Sequence, residues 1–177
     1  MEPVEINAGT CYLRQLRADD RLDDRAALVE AFADPWHRRY IPDYQVNDLG
    51  QAGEYVALRA RQWARDERCS WAIAEPTTGG LLGEVVLKNL DLPGATAEAG
   101  VWVHPVARGR GVATIAVGAA LRFGFGALGL RTVTYQHAES NKASAAVARR
   151  CGFRLLRAED INTGERELIW SRGPGEA

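Results

Sequence analysis

Two periodicities in the spacing of apolar residues predict which segments form strands and which form helices. Alternating apolar and polar residues, or a short apolar run between turn residues, are typical of a strand. Apolar residues that recur every three or four positions are typical of a helix with one buried face. The strands are predicted at Tyr12–Arg17, Trp71–Ala74, Leu81–Leu87, Ala97–His104, Thr132–Gln136, Leu155–Ala158 and Glu167–Trp170. The helices are predicted from Asp19 or Asp20 to about Phe32, from Asp48 to about Arg68, from Val112 to about Leu128 and from Lys142 to Arg150.

Turn residues separate these elements and indicate the fold class. Residues 76–80 predict one hairpin turn, and Asn162-Thr163-Gly164 predicts another between the last two strands. Gly152 suits the left-handed residue that ends a helix, and the aromatic, basic segment Trp36–Tyr44 is expected to be a loop. The order of elements predicts an α+β fold with a mostly antiparallel sheet and one right-handed strand–helix–strand crossover over residues 97–136.

Length and composition indicate an ordinary globular protein. The chain has 177 residues, of which 46% are apolar and 25% charged, so we expect one domain over residues 1–177 with its core at about 10–172. The 22 basic and 23 acidic residues leave a net charge of −1. This balance argues against a nucleic-acid or membrane partner.

Three further features of the sequence bear on compartment and on metal binding. The apolar stretch Val112–Leu130 is interrupted by Arg122, so a buried helix is favoured over a membrane span. The N-terminus has no signal-peptide pattern. Cys11, Cys69 and Cys151 lie far apart without metal-ligand spacing, so we expect no metal site and reduced thiols in a cytoplasmic protein.

The segment Val103–Thr114 carries the clearest chemical signal, because it joins a predicted strand to the start of the apolar helix. Gly109 and Gly111 permit backbone angles that other residues resist, and the first amides of a helix have no internal partners. Arg108 and Arg110 lie beside this positive helix end, where cations are normally disfavoured. A bound phosphate or pyrophosphate would accept hydrogen bonds from both the amides and the guanidinium groups. The alternative is a solvated loop rich in glycine and arginine.

Two nucleotide-binding motifs are excluded, and a third pattern is present. No GxxxxGK[ST] run occurs, and a GxGxxG fingerprint would need glycine at position 114, which is threonine. The run Arg108–Ala113 instead resembles the R/Q-x-x-G-x-G/A pyrophosphate motif of the GNAT superfamily of N-acetyltransferases. Asn141-Lys-Ala-Ser144 and Cys151-Gly-Phe153 are similar to the signature of its ribosomal-protein N-terminal acetyltransferase branch.

This resemblance implies a three-layer GNAT fold, in which a twisted sheet has splayed central strands and flanking helices. It implies acetyl-CoA between the strands Ala97–His104 and Thr132–Gln136. The pyrophosphate would bind the loop amides, and the pantetheine arm and acyl carbonyl would bind the preceding strand. Asn141 would contact the CoA arm, and Ser144 would lie near the thioester sulfur. The implied cofactor-binding residues are Trp102, Val103, Arg108, Gly109, Arg110, Gly111, Val112, Ala113, Thr114, Asn141 and Ser144.

The sequence departs from the family pattern at two positions. Many members have a tyrosine seven residues after the asparagine to protonate the thiolate, but this position is Ala148. Ser144 is therefore expected to be the proton donor, as in the ribosomal branch. That branch also often has glutamate where this chain has Ile115, which weakens the match in substrate.

The general base and the acceptor pocket are less well determined by the sequence. Glu98 is the first candidate for a base that acts through water, and the alternatives are Glu84, His104 and His137. The alternative for each of these four is a polar group without a catalytic role. The segment Trp36–Tyr44 falls where the family builds its acceptor pocket, so Trp36, Arg38 and Tyr40 are the expected acceptor-binding residues. A satellite hydrophobic cluster with solvated arginines is the alternative.

The leading hypothesis is an N-acyltransferase that moves an acetyl group from acetyl-CoA to a primary amine by direct attack on the thioester. The acceptor would be a peptide or protein N-terminus or a small molecule. A non-catalytic module that senses CoA is the second hypothesis, and a domain that binds nucleotide or RNA phosphate is the third. The resemblance also implies a possible homodimer.

Overall fold

The structure is a computed structural model that describes residues 1–42, 44–161 and 164–175. Within these ranges eight strands form one sheet in the order β1-β2-β3-β4-β5-β6-β8-β7. The strands are β1 (Ile6–Asn7), β2 (Tyr12–Arg14), β3 (Arg68–Ala74), β4 (Leu81–Asp91), β5 (Thr96–Val103), β6 (Thr132–Ala138), β7 (Arg154–Asp160) and β8 (Arg166–Arg172). The helices are α1 (Arg25–Ala33), α2 (Pro35–Tyr40), α3 (Leu49–Ala64), α4 (Val112–Gly126) and α5 (Lys142–Arg150).

The sheet is antiparallel except between its two central strands. β5 and β6 are parallel, because α4 connects them in the predicted strand–helix–strand crossover. Buried residues of α1 and α3 pack on one face of the sheet with Ala72 and Trp102. Buried residues of α4 and α5 pack on the other face with Ile73 and Val85. The predicted α+β class and three-layer GNAT architecture are confirmed.

The two central strands separate partway along their length. β5 pairs with β6 only from Thr96 to Ala99, opposite Thr132 to Tyr135, although β5 continues to Val103 and β6 to Ala138. Beyond Ala99, those backbone groups of β5 that face β6 have lost their sheet partner. The predicted splay is therefore present, and it opens a gap between the carboxyl ends of the two strands.

The segment predicted as a loop at Trp36–Tyr44 contains a short helix instead. Asp34 caps α2, since its Oδ2 accepts a hydrogen bond from the His37 amide at 3.1 Å, and Pro35 occupies the first helical position. The proline therefore begins a helix here rather than marking a loop. Asp43, within the predicted loop, lies outside the described residues.

The start of α1 is a second correction. The helix begins at Arg25 and not after Asp19 or Asp20, because the Asp19 carboxylate accepts the Arg21 and Leu22 amides and forms a turn. Asp24 precedes the helix but makes a bidentate ion pair with buried Arg14 instead of a side-chain cap.

Other boundaries agree more closely with the predictions. Asp48 caps α3 by accepting the Gln51 amide at 2.8 Å, and Gly152 after α5 has a φ of 73°. Strand β3 begins at Arg68, so α3 ends earlier than expected. Residues 162 and 163 of the predicted final turn lie outside the described residues. Within the described part of the chain, no helix has both the length and the apolar character needed to cross a bilayer.

Candidate active site

The loop before α4 leads into a helix N-terminus that has no side-chain cap. Gly109 and Gly111 have φ values of 77° and 74°, and a Cβ built at either position would meet no atom within 4 Å. Gly111 occupies the N-cap position of α4 without a side-chain cap. The first amides of this helix therefore have no side-chain acceptor at the cap, and with the helix dipole they favour an anion.

This loop forms one wall of a cavity of about 290 Å³, the cofactor cavity. The end of β5 and one face of α5 form its other walls. It is lined by Trp36, Val101, Trp102, Val103, Ala107, Arg108, Gly109, Gly111, Val112, Ala113, Thr114, Ala143, Ser144, Ala146, Val147 and Arg150. The implied cofactor-binding residues all line it except Arg110 and Asn141. Arg110 is exposed at the loop surface, and Asn141 lines the neighbouring cavity.

Sequence reasoning missed the wall that α5 contributes. Ala143, Ala146, Val147 and Arg150 all line the cofactor cavity, and their spacing of three, four and seven residues from Ala143 places them on one helix face. That spacing could have been read from the sequence once the helix was predicted. Arg150 adds an exposed cation to the cavity edge.

Arg108 contacts the residues at the start of α2. Its Nη2 donates to Asp34 Oδ2 at 2.6 Å, and its guanidinium lies over the Trp36 ring at 4.9 Å from the ring centre. The hydrogen bond from Arg108 holds the pKa of the Asp34 carboxyl below its usual range. The cofactor loop and α2 are therefore in direct contact.

A second cavity of about 170 Å³, which we call the acceptor cavity, is lined by residues of both separated strands. It shares Trp36, Val101, Trp102 and Ser144 with the cofactor cavity. Its other lining residues are Tyr40, Ile41, Tyr44, Tyr55, Arg59, Arg68, Glu84, Val86, Lys88, Glu98, Ala99, Gly100, Tyr135, Gln136, His137, Ala138 and Asn141. The two cavities thus meet beside the separated strand ends.

Two of the three expected acceptor residues line this cavity. Trp36 and Tyr40 do, and their ring centres lie 5.1 Å apart. Arg38 lines a separate depression, and its Nε donates to the Phe32 carbonyl at 3.2 Å. Arg38 therefore does not line the acceptor cavity together with Trp36 and Tyr40.

A buried ion pair supports the floor of the acceptor cavity. Arg59 Nε lies 3.3 Å from Glu84 Oε1, and the side chains are 3% and 0% exposed. Glu84 Oε2 accepts hydrogen bonds from the Tyr55 hydroxyl and from the Trp102 indole. The guanidinium carbon of Arg59 lies 4.4 Å from the centre of the Tyr44 ring. Glu84 is thus inaccessible to solvent, and its Oε1 has the ion pair with Arg59 but no hydrogen bond.

Asn141 and Ser144 begin α5 beside the junction of the cavities. Asn141 Oδ1 accepts the Ser144 amide at 3.0 Å and so caps the helix. The Ser144 side chain hydrogen-bonds Tyr135, whose pKa burial raises to about 12 while the bond to Ser144 acts in the opposite direction. Ala148, where many family members have tyrosine, is fully buried.

Both candidate histidine bases are held in structural roles. His137 Nε2 accepts from the Trp170 indole at 2.9 Å, so Nδ1 carries the proton and donates to the Ala138 carbonyl at 2.8 Å. Burial lowers the pKa of His137. His104 Nδ1 accepts the Val106 amide at 3.4 Å, and His104 lines neither cavity.

Glu98 is the candidate base of the acceptor cavity that is neither fully buried like Glu84 nor hydrogen-bonded through both ring nitrogens like His137. Its side chain is 13% exposed, and Oε1 lies 2.8 Å from Lys88 Nζ. Oε2 accepts a hydrogen bond from Asn89 Nδ2 at 3.1 Å. The carboxylate is thus held in position by two partners on β4.

Comparisons with known proteins agree with this geometry. The family model described as Acetyltransferase (GNAT) domain matches residues 11–154. YdaF of Bacillus subtilis (strain 168), provisionally named a ribosomal N-acetyltransferase, is 36% identical over 75 residues. That match spans 42% of this chain and 41% of YdaF, so it covers less than half of either protein.

Solved structures share the fold over most of their length. RimL, described as a ribosomal L7/L12 alpha-N-protein acetyltransferase in complex with coenzyme A, has a TM-score of 0.79 at 20% identity, covering 93% of this chain and 94% of RimL. MccE, described as a microcin C7 self-immunity acetyltransferase in complex with acetyl-CoA and AMP, has a TM-score of 0.78 at 20% identity, covering 93% of each chain.

The family model covers most of the chain, including the cofactor loop and both splayed strands. The predicted resemblance and the predicted acetyltransferase class are confirmed. The chain belongs to the acetyltransferase (GNAT) domain family, whose acetyl donor is acetyl-CoA.

Proposed function

We propose that this chain transfers the acetyl group of acetyl-CoA, bound in the cofactor cavity, to a primary amine bound in the acceptor cavity. The observation that carries the proposal is that the two cavities share Trp36, Val101, Trp102 and Ser144. A thioester entering from one side and an amine from the other would meet at these residues. Attack then needs no acyl-enzyme, because both reactants are held in one continuous space.

The cofactor cavity has the donors and cations that a diphosphate requires. The N-terminus of α4 has no side-chain cap, a Cβ at Gly109 or Gly111 would meet no atom within 4 Å, and Arg108 and Arg150 line the cavity. We assign the pantetheine arm to the part of β5 that has separated from β6, and the acyl oxygen to a backbone amide of Trp102 or Val103. An amide donor at that position would stabilise the developing oxyanion.

We assign protonation of the leaving thiolate to Ser144, which lines both cavities. Tyr135 is buried and hydrogen-bonded to the Ser144 side chain. Its raised pKa keeps the phenol protonated at neutral pH, so it can return a hydrogen bond to the serine. This pair would act in place of the tyrosine that Ala148 replaces.

We assign the base role to Glu98, acting through water, because it is the partly exposed carboxylate of the acceptor cavity. A carboxylate is a weak base, so the acceptor must deprotonate readily. An α-amine with a pKa of about 7.7–8.0 is roughly 10–20% neutral at pH 7, whereas a lysine with a pKa of about 10.4 is well below ~0.1% neutral. The site therefore favours an α-amine.

The acceptor we propose is the N-terminus of a peptide or protein, with a small α-amine as the simpler variant. The relatives named for ribosomal proteins support a protein N-terminus. Trp36 and Tyr40 would provide aromatic contacts, but Arg38, which lies apart, is not included. A cytoplasmic location and a homodimer, expected from the sequence, complete the proposal, and sedimentation tests the homodimer.

A paired-peptide assay tests this function. One peptide has a free N-terminus and acetylated lysines, and its partner has an acetylated N-terminus and one free lysine. Thiol release from acetyl-CoA with the first peptide and not the second is the expected result. Preference for the lysine peptide would contradict the α-amine assignment. Thermal stabilisation by CoA without turnover on any amine would support the CoA-sensing alternative instead.

A further inference from the structure

The start of α2 touches the cofactor loop through a charge pair and a stacked ring. Arg108 donates to Asp34 Oδ2 at 2.6 Å and lies over the Trp36 ring. We call Asp34, Trp36 and Arg108 the clasp. Arg108 lines only the cofactor cavity, whereas Trp36 lines both cavities. The clasp therefore joins the loop that would hold the diphosphate to a wall of the acceptor cavity.

The other end of α2 is attached across the splay. The Tyr40 hydroxyl lies 3.1 Å from Ser140 Oγ, in the turn between β6 and α5. In turn, the Ser140 amide donates to Glu165 at 2.7 Å. The helix thus spans from the cofactor loop on the β5 side to the turn on the β6 side.

A helix of six residues depends on such attachments for its order. Isolated helices of this length are unstable in water, and α2 contributes one buried side chain, His37. His37 packs against Phe32 at 4.1 Å and Trp102 at 5.1 Å between ring centres. With so little buried surface, the stability of α2 is sensitive to each end contact.

We propose that Asp34 is a positioning residue that couples CoA binding to the acceptor cavity. The ion pair uses Nη2 of Arg108, and a guanidinium has five donors, so Arg108 can bond a phosphate oxygen and Asp34 together. Binding of CoA then holds Arg108 in place, and Arg108 holds Asp34 and Trp36. The wall that Trp36 gives the acceptor cavity becomes ordered as a result. The clasp has this role only if the loop binds CoA, as proposed above.

Asp34→Asn removes the charge and keeps the cap. Asparagine caps helices as well as aspartate does, so α2 retains its acceptor for the His37 amide. The matched control is Asp23→Asn, which removes an exposed carboxylate paired with Arg25 at 2.7 Å away from both cavities. Trp36→Leu is a second variant, because it removes the ring beneath Arg108 and leaves Asp34 in place.

Hydrogen exchange measured by mass spectrometry, with and without saturating CoA, gives separate readouts for residues 34–42 and 106–115. In the wild type and in Asp23→Asn, CoA should slow exchange in both segments, with α2 slowed about twofold to fivefold. In Asp34→Asn, CoA should still slow exchange of the loop and leave the exchange rate of α2 unchanged within experimental error, whereas Trp36→Leu, which keeps the ion pair, should retain part of the slowing of α2. A purely structural role would change α2 equally with and without CoA.

Each other outcome overturns a distinct assignment. Equal protection of α2 by CoA in Asp34→Asn and wild type would refute the clasp and leave the loop assignment intact. If CoA does not change the exchange rate of residues 34–42 in the wild type, the clasp is likewise refuted and the loop assignment stands. If CoA does not change the exchange rate of residues 106–115 in any of the four proteins, both the loop assignment and the clasp are refuted.

Discussion

Replacing Gly111 with aspartate should abolish tight CoA binding through charge. Position 111 has a left-handed backbone with a φ of 74°, and its Cβ would enter space free of atoms within 4 Å. The new carboxylate therefore fits sterically. It would lie beside the uncapped amides that we assign to the diphosphate.

The size of the effect follows from Coulomb's law. Two unit charges 4 Å apart repel by about 1 kcal/mol in water and about 4 kcal/mol at an effective dielectric of 20. The dissociation constant for CoA should therefore rise by about fivefold to a thousandfold. A side chain in the left-handed region costs roughly 1–2 kcal/mol of stability, and a carboxylate at a helix N-terminus recovers about 0.3–1 kcal/mol of it.

Gly111→Asn separates charge from backbone strain, because asparagine has the shape of aspartate and a similar tolerance of this conformation. Calorimetric titration with CoA should give much weaker binding for Gly111→Asp than for Gly111→Asn, at melting temperatures within a few degrees. The difference in CoA affinity between the two variants should narrow when the salt concentration rises from about 0.1 M to about 1 M, since the Debye length falls from about 10 Å to about 3 Å. Equal CoA affinity of the two variants would refute the loop assignment.

Three further predictions address other parts of the site. Ser144→Ala should lower kcat about a hundredfold and change the dissociation constant for CoA by less than about twofold; an unchanged kcat would remove Ser144 from the mechanism. Arg150→Gln should weaken CoA binding about threefold to tenfold, measured by titration, with Arg154→Gln outside the cavity as the control. Burial lowers the pKa of His37 to about 4, so the unfolded chain binds the proton more readily. The unfolding free energy should fall as the pH drops from about 6.5 to 4, by at most ~1.4 kcal/mol per pH unit, and His37→Phe should flatten that slope in denaturant titrations.

Local signals in the sequence predicted the loop and the helix start that line the cofactor cavity, although not most of the α5 wall. Gly109 and Gly111 indicate left-handed backbone at the start of a helix, and both have it. The alternation in β5 and the apolar period of α4 predict the crossover that brings this loop to the splay. The glycine conformations, the strand alternation and the helix period each depend on residues close together in the sequence. The spacing of residues is therefore enough to predict them.

The acceptor half could not be predicted in the same way, because its residues come from segments far apart in sequence. The charge of Arg38 beside Trp36 and Tyr40 predicts an acceptor contact, but on α2 Arg38 lines a different depression. Arg59 on α3 and Glu84 on β4 form the floor, and neither belongs to a motif. Only the packing of α3 against the sheet brings them together.

Two adjacent residues of β4 hold the wall where the cavities meet. A Cβ on Gly83 would overlap the carbonyl oxygen of Trp102, so glycine permits the close approach of β4 to the end of β5. Glu84 Oε2 then accepts the Trp102 indole hydrogen at 3.0 Å, which fixes the ring between α2 and the acceptor floor. Trp102 lines both cavities, and the proposed transfer assigns its backbone to the thioester and its ring to the acceptor. The geometry of the proposed transfer therefore depends on β4, a strand that contributes no residue to the cofactor cavity.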